Sequence, residues 1–342
     1  MTTLKDISRS LGVSVTQVSR ALNGHDDVNA DTRARVTAAA RAMNYHPNVS
    51  ARKLVSGRSG MVGLVVPKHK SLGSDGIFLE VVAGLSSQFS NRDMQFVLHI
   101  IEENEPVLPV YQRLVGRGAI DGFVLIDPLD DDPRITFLQK AGVPFVLHGR
   151  HRTQPDYPYF DIENEKILFE LTRYLLHFGH QRIAFLNGVA GRTYVTARHK
   201  GYVAALQGAG IAFQAELERN GDMDEAHGLI STVDLFRGPG PHPTAMICGN
   251  VRIAHGVYQA LASLRLSVPG DVSVVAHDDH LPNLRASAFF PALTVTKAPL
   301  RDSWKPMADC LTGAFDGVPM ADLQRIGSYE VILRNSVAAP LG

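Results

Sequence analysis

Seven short apolar runs constrain the fold of most of this chain. They are MVGLVVP (61–67), QFVLHII (95–101), DGFVLI (121–126), PFVLHG (144–149), RIAFLNG (182–188), TAMICGN (244–250) and DVSVVAHDD (271–279). Each is bounded by Gly, Pro, Asp or Asn. A strand with one wet face alternates apolar and polar residues, whereas these runs are continuous, as in strands covered on both faces. Helical stretches such as residues 78–89 separate them. Strands alternating with helices predict parallel sheets, here two doubly wound α/β lobes. With 342 residues and 45% hydrophobic content, the chain has ample material for more than one core.

In such sheets ligands bind beyond the carboxyl ends of the strands. Six strand ends carry polar groups: Asp127; His148, Gly149 and Arg150; Asp161 in the further segment YFDIEN; Asn187-Gly188; Asn250; and His277-Asp278-Asp279. One such residue is ordinarily a helix cap or a turn former. Six together predict one polar cleft between the lobes. No GxGxxG follows the first strand and no GxxxxGK[ST] occurs, which argues against dinucleotides and nucleoside triphosphates. Carboxylates and amides bridge pairs of hydroxyls, and Arg adds a rigid fork of donors. Phe78 or Trp304 could cover a sugar ring. The number of acids favours a hydroxyl-rich, uncharged ligand; a nucleobase would call for more aromatic faces and fewer acids.

The first 58 residues read differently. They hold nine Lys/Arg and four acids, a net charge of +5, and the whole chain is neutral, so the remainder carries −5. A basic head on an acidic body is the footprint of a nucleic-acid module joined to another domain. Within residues 3–24, Leu4, Ile7 and Leu11 share a helical face and Gly12 is a stop signal. Ser14 is an N-cap candidate, with Gln17 as its capping-box partner. Val18 and Leu22 continue an apolar stripe, opposite Thr16, Gln17, Ser19 and Arg20. The pattern predicts a helix-turn-helix, its second helix reading a major groove.

A third helix is expected over residues 31–43, capped by Asn29 or Asp31, with Val36, Ala40 and Met43 inward. Pro47 closes it. Residues 48–55 offer two helical turns, too few to stand alone in water, so a hinge that folds on DNA is expected over 47–58. Leu54 suits a minor-groove wedge.

In this order and spacing, Thr3-Leu4, Asp6-Ile7, Gly12-Val13-Ser14, Val18-Ser19-Arg20, Leu22-Asn23, Thr32-Arg33, Arg35-Val36, Tyr45, Pro47-Asn48, Ala51-Arg52 and Leu54 resemble the head of the LacI/GalR family of bacterial transcription regulators. The resemblance implies that Val15, Thr16 and Arg20 face base edges. It places Thr3, Ser14, Asn23 and Asn48 on phosphates, and Leu54 at the operator centre, paired with its copy from a second subunit; Ala51 is a further expected DNA-binding residue. More loosely it extends over the body: Gly179-His180, Arg182-Ile183-Ala184, ARHKGYVAAL (197–206) and VPGDVSVVAHDD. It implies a periplasmic-binding-protein-like body with a pocket holding Asp127, Asp161, Arg198, Asn250 and Asp278. LTVTKAP (293–299) resembles the strand returning to the first lobe. The expected divisions are a head over 1–46, a first lobe over 59–161 plus 292–323, and a second lobe over 162–291 plus 324–342. Three departures bear on ligand identity. Val251 follows Asn250 where Asp is frequent. His277 precedes the double aspartate where Tyr or Phe is frequent. Glu163-Asn164 stands where Asp-Asn is common.

Other chemistry is less well supported. Cys248 and Cys310 form no disulfide or zinc pattern and read as core residues of a reducing, cytoplasmic protein. No signal-peptide pattern opens the chain, and no apolar run approaches the ~20 residues of a membrane span. His277, Asp278, Asp279 and His280, with His148 and His151, read as strand-end polar residues before they read as a metal site. Asp127, Asp161 and Asp278 could be paired glycosidase carboxylates, but a DNA-binding head has no use for consuming its own signal. Residues 78–342 contain no leucine-heptad tail, so two heads on a two-fold axis are expected to read a pseudo-palindromic operator as a homodimer. The first-lobe helix from Phe78 and the second-lobe helix after Asn250 are the expected contact surfaces. The sequence thus predicts a non-enzymatic, allosteric repressor of sugar-uptake or catabolism genes. It needs no cofactor beyond its effector, for which an α-glucoside is one candidate. The alternatives are a purine- or nucleoside-responsive regulator of the same fold, a sugar-binding transport protein, or a sugar-acting enzyme.

Overall fold

A computed structural model describes residues 2–22, 25, 27–45, 58–68, 76–102, 105–151, 154–281 and 283–341. The chain divides into two compact units, residues 1–59 and 60–342. The first holds α1 (Leu4–Leu11), α2 (Val15–Leu22) and α3 (Ala30–Ala42). Thr3 and Asp6 form a reciprocal capping box at the start of α1. Gly12, at φ +68°, takes the left-handed conformation that ends this helix, its N–H bonded to the Ser8 carbonyl. Ser14 and Gln17 form the expected second box: the Ser14 N–H reaches Gln17 Oε1 at 3.1 Å, and the Gln17 N–H reaches Ser14 Oγ at 3.1 Å. Asn29 caps α3 through the Asp31 N–H at 2.9 Å. Eight-residue helices are marginal in isolation. These two hold because Ile7, Val18, Ala21, Val36 and Ala40 bury one shared core, flanked by Leu4, Leu11, Met43 and Tyr45. Asn23, Asn48, Ala51, Leu54 and nearly all of the 47–58 hinge lie outside the described residues.

The body contains β1 (Met61–Pro67), α4 (Gly76–Ser90), β2 (Gln95–Ile101), α5 (Val107–Gly116), β3 (Gly122–Leu125), α6 (Pro133–Lys140), β4 (Phe145–His148), β5 (Tyr159–Ile162), α7 (Asn164–His177), β6 (Ile183–Asn187) and α8 (Thr193–Gly208). There follow β7 (Glu218–Asn220), α9 (Glu225–Leu235), β8 (Ala245–Cys248), α10 (Val251–Ser263), β9 (Ser273–Asp278), β10 (Thr294–Lys297), α11 (Trp304–Phe315), β11 (Gln324–Gly327) and β12 (Glu330–Ile332). They build two six-stranded sheets, ordered β11-β5-β4-β3-β1-β2 and β12-β10-β9-β8-β6-β7. All pairings are parallel except β10 with β12. β3, β6, β8 and β9 are buried along their whole length, as their continuous apolar text requires.

Two expected lobe boundaries are corrected. Thr294–Lys297 does not return to the first lobe. It pairs in parallel with β9, Thr294 against Val275 and Lys297 against Asp278. Conversely, Gln324–Gly327 adds to the first sheet beside Tyr159–Ile162. Strand propensity does not encode which sheet a four-residue segment joins; register with its neighbours does. The chain therefore passes between lobes after β5, between β10 and α11, and between β11 and β12.

α7 and α8 approach so closely that a Cβ on Gly201 would overlap the Glu165 carbonyl. That contact fixes the helix that carries Arg198. The His180 ring bonds to Thr244 Oγ1, Ser273 Oγ and the Ala338 carbonyl at 2.9, 3.0 and 2.9 Å, tying the C-terminal segment to the second sheet. α10 buries Val251, Ile253, Ala254, Val257, Ala260 and Leu261 within its own lobe. The exposed large apolar residues include Leu229, Ile230 and Val233 on α9, Phe290, and Leu79 on α4. Both cysteines are buried and free. Among the described residues no helix is long and apolar enough to cross a membrane.

Candidate ligand cleft and DNA-facing helix

A cavity of about 490 Å³ lies between the two sheets, within the ordinary range for small-molecule sites. It sits at the carboxyl edge, as doubly wound sheets require. β3 delivers Asp127, β4 His148, β5 Asp161, β8 Asn250 and β9 Asp279. Trp304, at the start of α11, forms one wall and is 6% exposed. It reaches this position because α4 has Gly84 beneath the indole; a Cβ there would collide with the ring. Ile77, Val81 and Phe160 add apolar surface.

Arg198 is 4% exposed and points into this cavity from α8. Its Nε donates to Asn164 Oδ1 at 2.9 Å and its Nη1 to the Gly249 carbonyl at 2.8 Å. The guanidinium lies 5.1 Å from the Tyr194 ring centre. Burial lowers its proton affinity, opposed by Asp279, Tyr194 and Asp161. Asn250 both lines the cavity and caps α10: its Oδ1 accepts from the Ile253 N–H at 2.9 Å, and its Nδ2 donates to the Met223 carbonyl at 3.0 Å. Asp127 adopts φ +53°, and its carboxylate lies 3.3 Å from Arg192 Nη1.

The ionisable groups here are displaced from their ordinary behaviour. Burial pushes Asp161 up to about 6, although Arg150 opposes this with Nε 3.0 Å from Oδ2. Burial pushes His148 down to about 4, with Asp279 opposing. His148 stands between the rings of Phe160 and Trp304, 6.1 and 6.4 Å away by ring centres.

Three expected residues fall elsewhere. Phe78 is half-buried in the first-lobe core; Ile77 and Val81 present their side chains to the cavity, since each helical residue is turned about 100° from the last. Arg150 is engaged by Asp161 and Glu163, and lines a neighbouring cavity of about 680 Å³ that shares Asp161, Asn164, Thr193 and Tyr194 with the first. Asp278 is the last residue of β9, and its carboxylate turns back to accept the His280 N–H at 2.7 Å. Asp279, one residue past the strand end, faces the cavity instead. Sequence reasoning also passed over Asn164, Tyr194 and Ser303 as cavity residues. The doubled aspartate was the only textual hint of Asp279.

In the head, α2 exposes Val15, Thr16 and Gln17, while Ser19 and Arg20 are half-buried. Arg20 is held by Asp27, its Nη2 2.7 Å from Oδ2 and its Nε 3.2 Å from Oδ1. Thr3 and Ser14 keep their hydroxyls in the capping boxes.

A helix-turn-helix unit followed by two parallel-sheet lobes around a polar cleft defines a ligand-responsive DNA-binding protein. Residues 3–48 match the family described as bacterial regulatory proteins, lacI family. Residues 59–304 match periplasmic binding proteins and sugar binding domain of LacI family. The chain belongs to the LacI family of transcriptional regulators. It is 36% identical over 335 residues to the HTH-type transcriptional regulator AglR of Rhizobium meliloti (strain 1021), covering 97% of this chain and 93% of that protein. A solved complex of the transcriptional regulator CelR with cellobiose is 28% identical, with a TM-score of 0.70 over 98% of this chain and 100% of the other. The lac repressor dimer bound to operator and the anti-inducer ONPF is 26% identical, with a TM-score of 0.78 over 99% of each chain.

Proposed function

We propose that this chain is a homodimeric, non-enzymatic repressor of sugar-uptake or catabolism genes, whose cleft takes a small uncharged glucoside as effector. The observation that carries the ligand class is the cleft lining. Four carboxylates (Asp127, Asp161, Asp279 and Asp302), the Asn250 and Asn164 amides and the Arg198 guanidinium line the same cavity as the Trp304 indole. This set bridges hydroxyl pairs and covers an apolar ring face, as a pyranoside requires. The cellobiose held by CelR is a glucose disaccharide, which supports the same class for a relative of similar fold. An α-linked glucoside is the particular candidate.

In the head, Val15, Thr16, Gln17, Ser19 and Arg20 read base edges in this proposal. Thr3, Ser14, Asn23 and Asn48 hold phosphates, and Ala51 and Leu54 enter the minor groove at the operator centre. Ser14 and Thr3 leave their backbone partners, or share them, when a phosphate oxygen arrives. The dimer surface is drawn from the exposed apolar residues: Leu79 and Ile100 on the first lobe, Ile230 at 65% exposure and Phe290 at 97% on the second.

A thermal-shift series with maltose, trehalose, sucrose and hypoxanthine tests the ligand class. A glucoside at about a hundred times its Kd adds about 2.7 kcal/mol, which raises the melting temperature by about 5 °C or more. A shift with hypoxanthine and none with the sugars would overturn the reading.

A further inference from the structure

His277 is wholly buried, near the end of β9. Its Nδ1 lies 3.1 Å from Thr296 Oγ1 on β10. Its Nε2 has no hydrogen-bond partner among the described residues and lies 3.4 Å from Asp279 Oδ1. That separation exceeds the about 2.7–3.2 Å of a formed N–H···O bond. A buried ring nitrogen left without a partner is uncommon and calls for an explanation. Asp279 is one of the carboxylates that face the cleft, and its carbonyl accepts the Leu300 N–H at 3.0 Å. It therefore sits where the chain leaves the second sheet for Trp304.

We infer that His277 is a positioning residue for the effector: its Nε2–H holds the Asp279 carboxylate aimed into the cleft, and the contact closes to a full hydrogen bond when a ligand engages Asp279. A lone pair on Nε2 would repel the carboxylate oxygen, so the hydrogen resides on Nε2 and, in the neutral ring, Nδ1 accepts from the Thr296 hydroxyl. Burial pushes the Asp279 carboxyl up, but the His277 contact and the Arg198 charge hold it below the ordinary carboxylate range. A phenylalanine at 277 would fill the space and supply no donor. This residue thus sets how well the cleft grips hydroxyls through Asp279. The inference rests on the cleft being the effector site.

The test uses the full-length protein and its single tryptophan, Trp304, which lies in the cleft wall. Trp304 fluorescence is titrated with maltose and trehalose for wild type, His277→Phe, His277→Gln, Asp279→Asn and the His277→Phe/Asp279→Asn double variant. His277→Phe is expected to weaken binding tenfold or more, and His277→Gln, which restores an N–H near Nε2, to lie within threefold of wild type. The double variant should be no weaker than Asp279→Asn alone. Equal loss in the Phe and Gln variants, or full additivity in the double variant, would overturn the inference. Nitrogen-15 spectra of histidine-labelled protein, assigned with His277→Gln, test it without any ligand: a hydrogen on Nε2 supports it, and an Nδ1–H, Nε2-bare ring overturns it. If neither sugar alters the fluorescence while the spectra show Nε2–H, the ligand class fails and the positioning contact stands.

Discussion

Asp161 and His148 resist their charged forms for the same reason, burial, yet pull the stability of the protein in opposite directions with pH. Asp161 rises from 3.8 to about 6. Between those values the folded chain holds a proton that the unfolded chain lacks, so this group's contribution is complete below pH 3.8 and is lost as pH climbs through 6. His148 falls from 6.5 to about 4. Its contribution is complete above pH 6.5 and is lost as pH drops toward 4. In the shared window the two offset each other. Urea midpoints at pH 4.5 and 6.5 should therefore expose opposite slopes in two variants: Asp161→Asn gains stability with rising pH, and His148→Gln loses it. Slopes of the same sign would refute the assignment. Gly84 offers a second residue-scale test. Gly84→Ala should displace the Trp304 indole, cost about 1–3 kcal/mol by overpacking and red-shift the tryptophan emission; an unchanged spectrum would contradict the packing. At this scale the text was legible in part. Arg198, Asp127, Asp161, His148, Asn250 and Trp304 were expected in the cleft and line it. Asp278 was not distinguishable from Asp279, because one residue of phase at a strand end decides which carboxylate faces the ligand.

Elements whose signals are local were read well. The Gly12 stop and the Ser14–Gln17 box on α2 need only a few neighbouring residues, and the structure realises both. The buried strands announced themselves by continuous apolar text. The short segments at Thr294–Lys297 and Gln324–Gly327 exchanged sheets because their identity depends on partners far away in the chain. On α2, the Arg20–Asp27 pair places a competing carboxylate beside the residue proposed to read bases. Arg20→Ala should cost about 1–3 kcal/mol of base discrimination at one operator position. Asp27→Ala should tighten binding to operator more than to random DNA, by removing an anion that Arg20 must leave to reach its base. Anisotropy titrations on operator and scrambled DNA at fixed salt measure both; an Arg20→Ala protein with full sequence preference would remove α2 from the reading role.

Over the whole molecule, a head of charge +5 and a body of charge −5 separate the task of holding DNA from that of sensing a metabolite. A ligand can shift DNA affinity only through a difference in its own affinity for the two states. Arg198 is the group best placed to generate that difference, because it joins α8 to Asn164 at the start of α7 and to Gly249 after β8 while facing the cleft. The decisive measurement is the affinity of wild-type and Arg198→Ala protein for DNA flanking this chain's own gene, by anisotropy, with and without a saturating glucoside. Wild type should bind that DNA in preference to scrambled sequence and change affinity at least tenfold with the sugar, while Arg198→Ala binds equally well and ignores it. A wild-type protein with no preference for any flanking fragment, or an Arg198→Ala protein with an undiminished sugar response, would contradict the account.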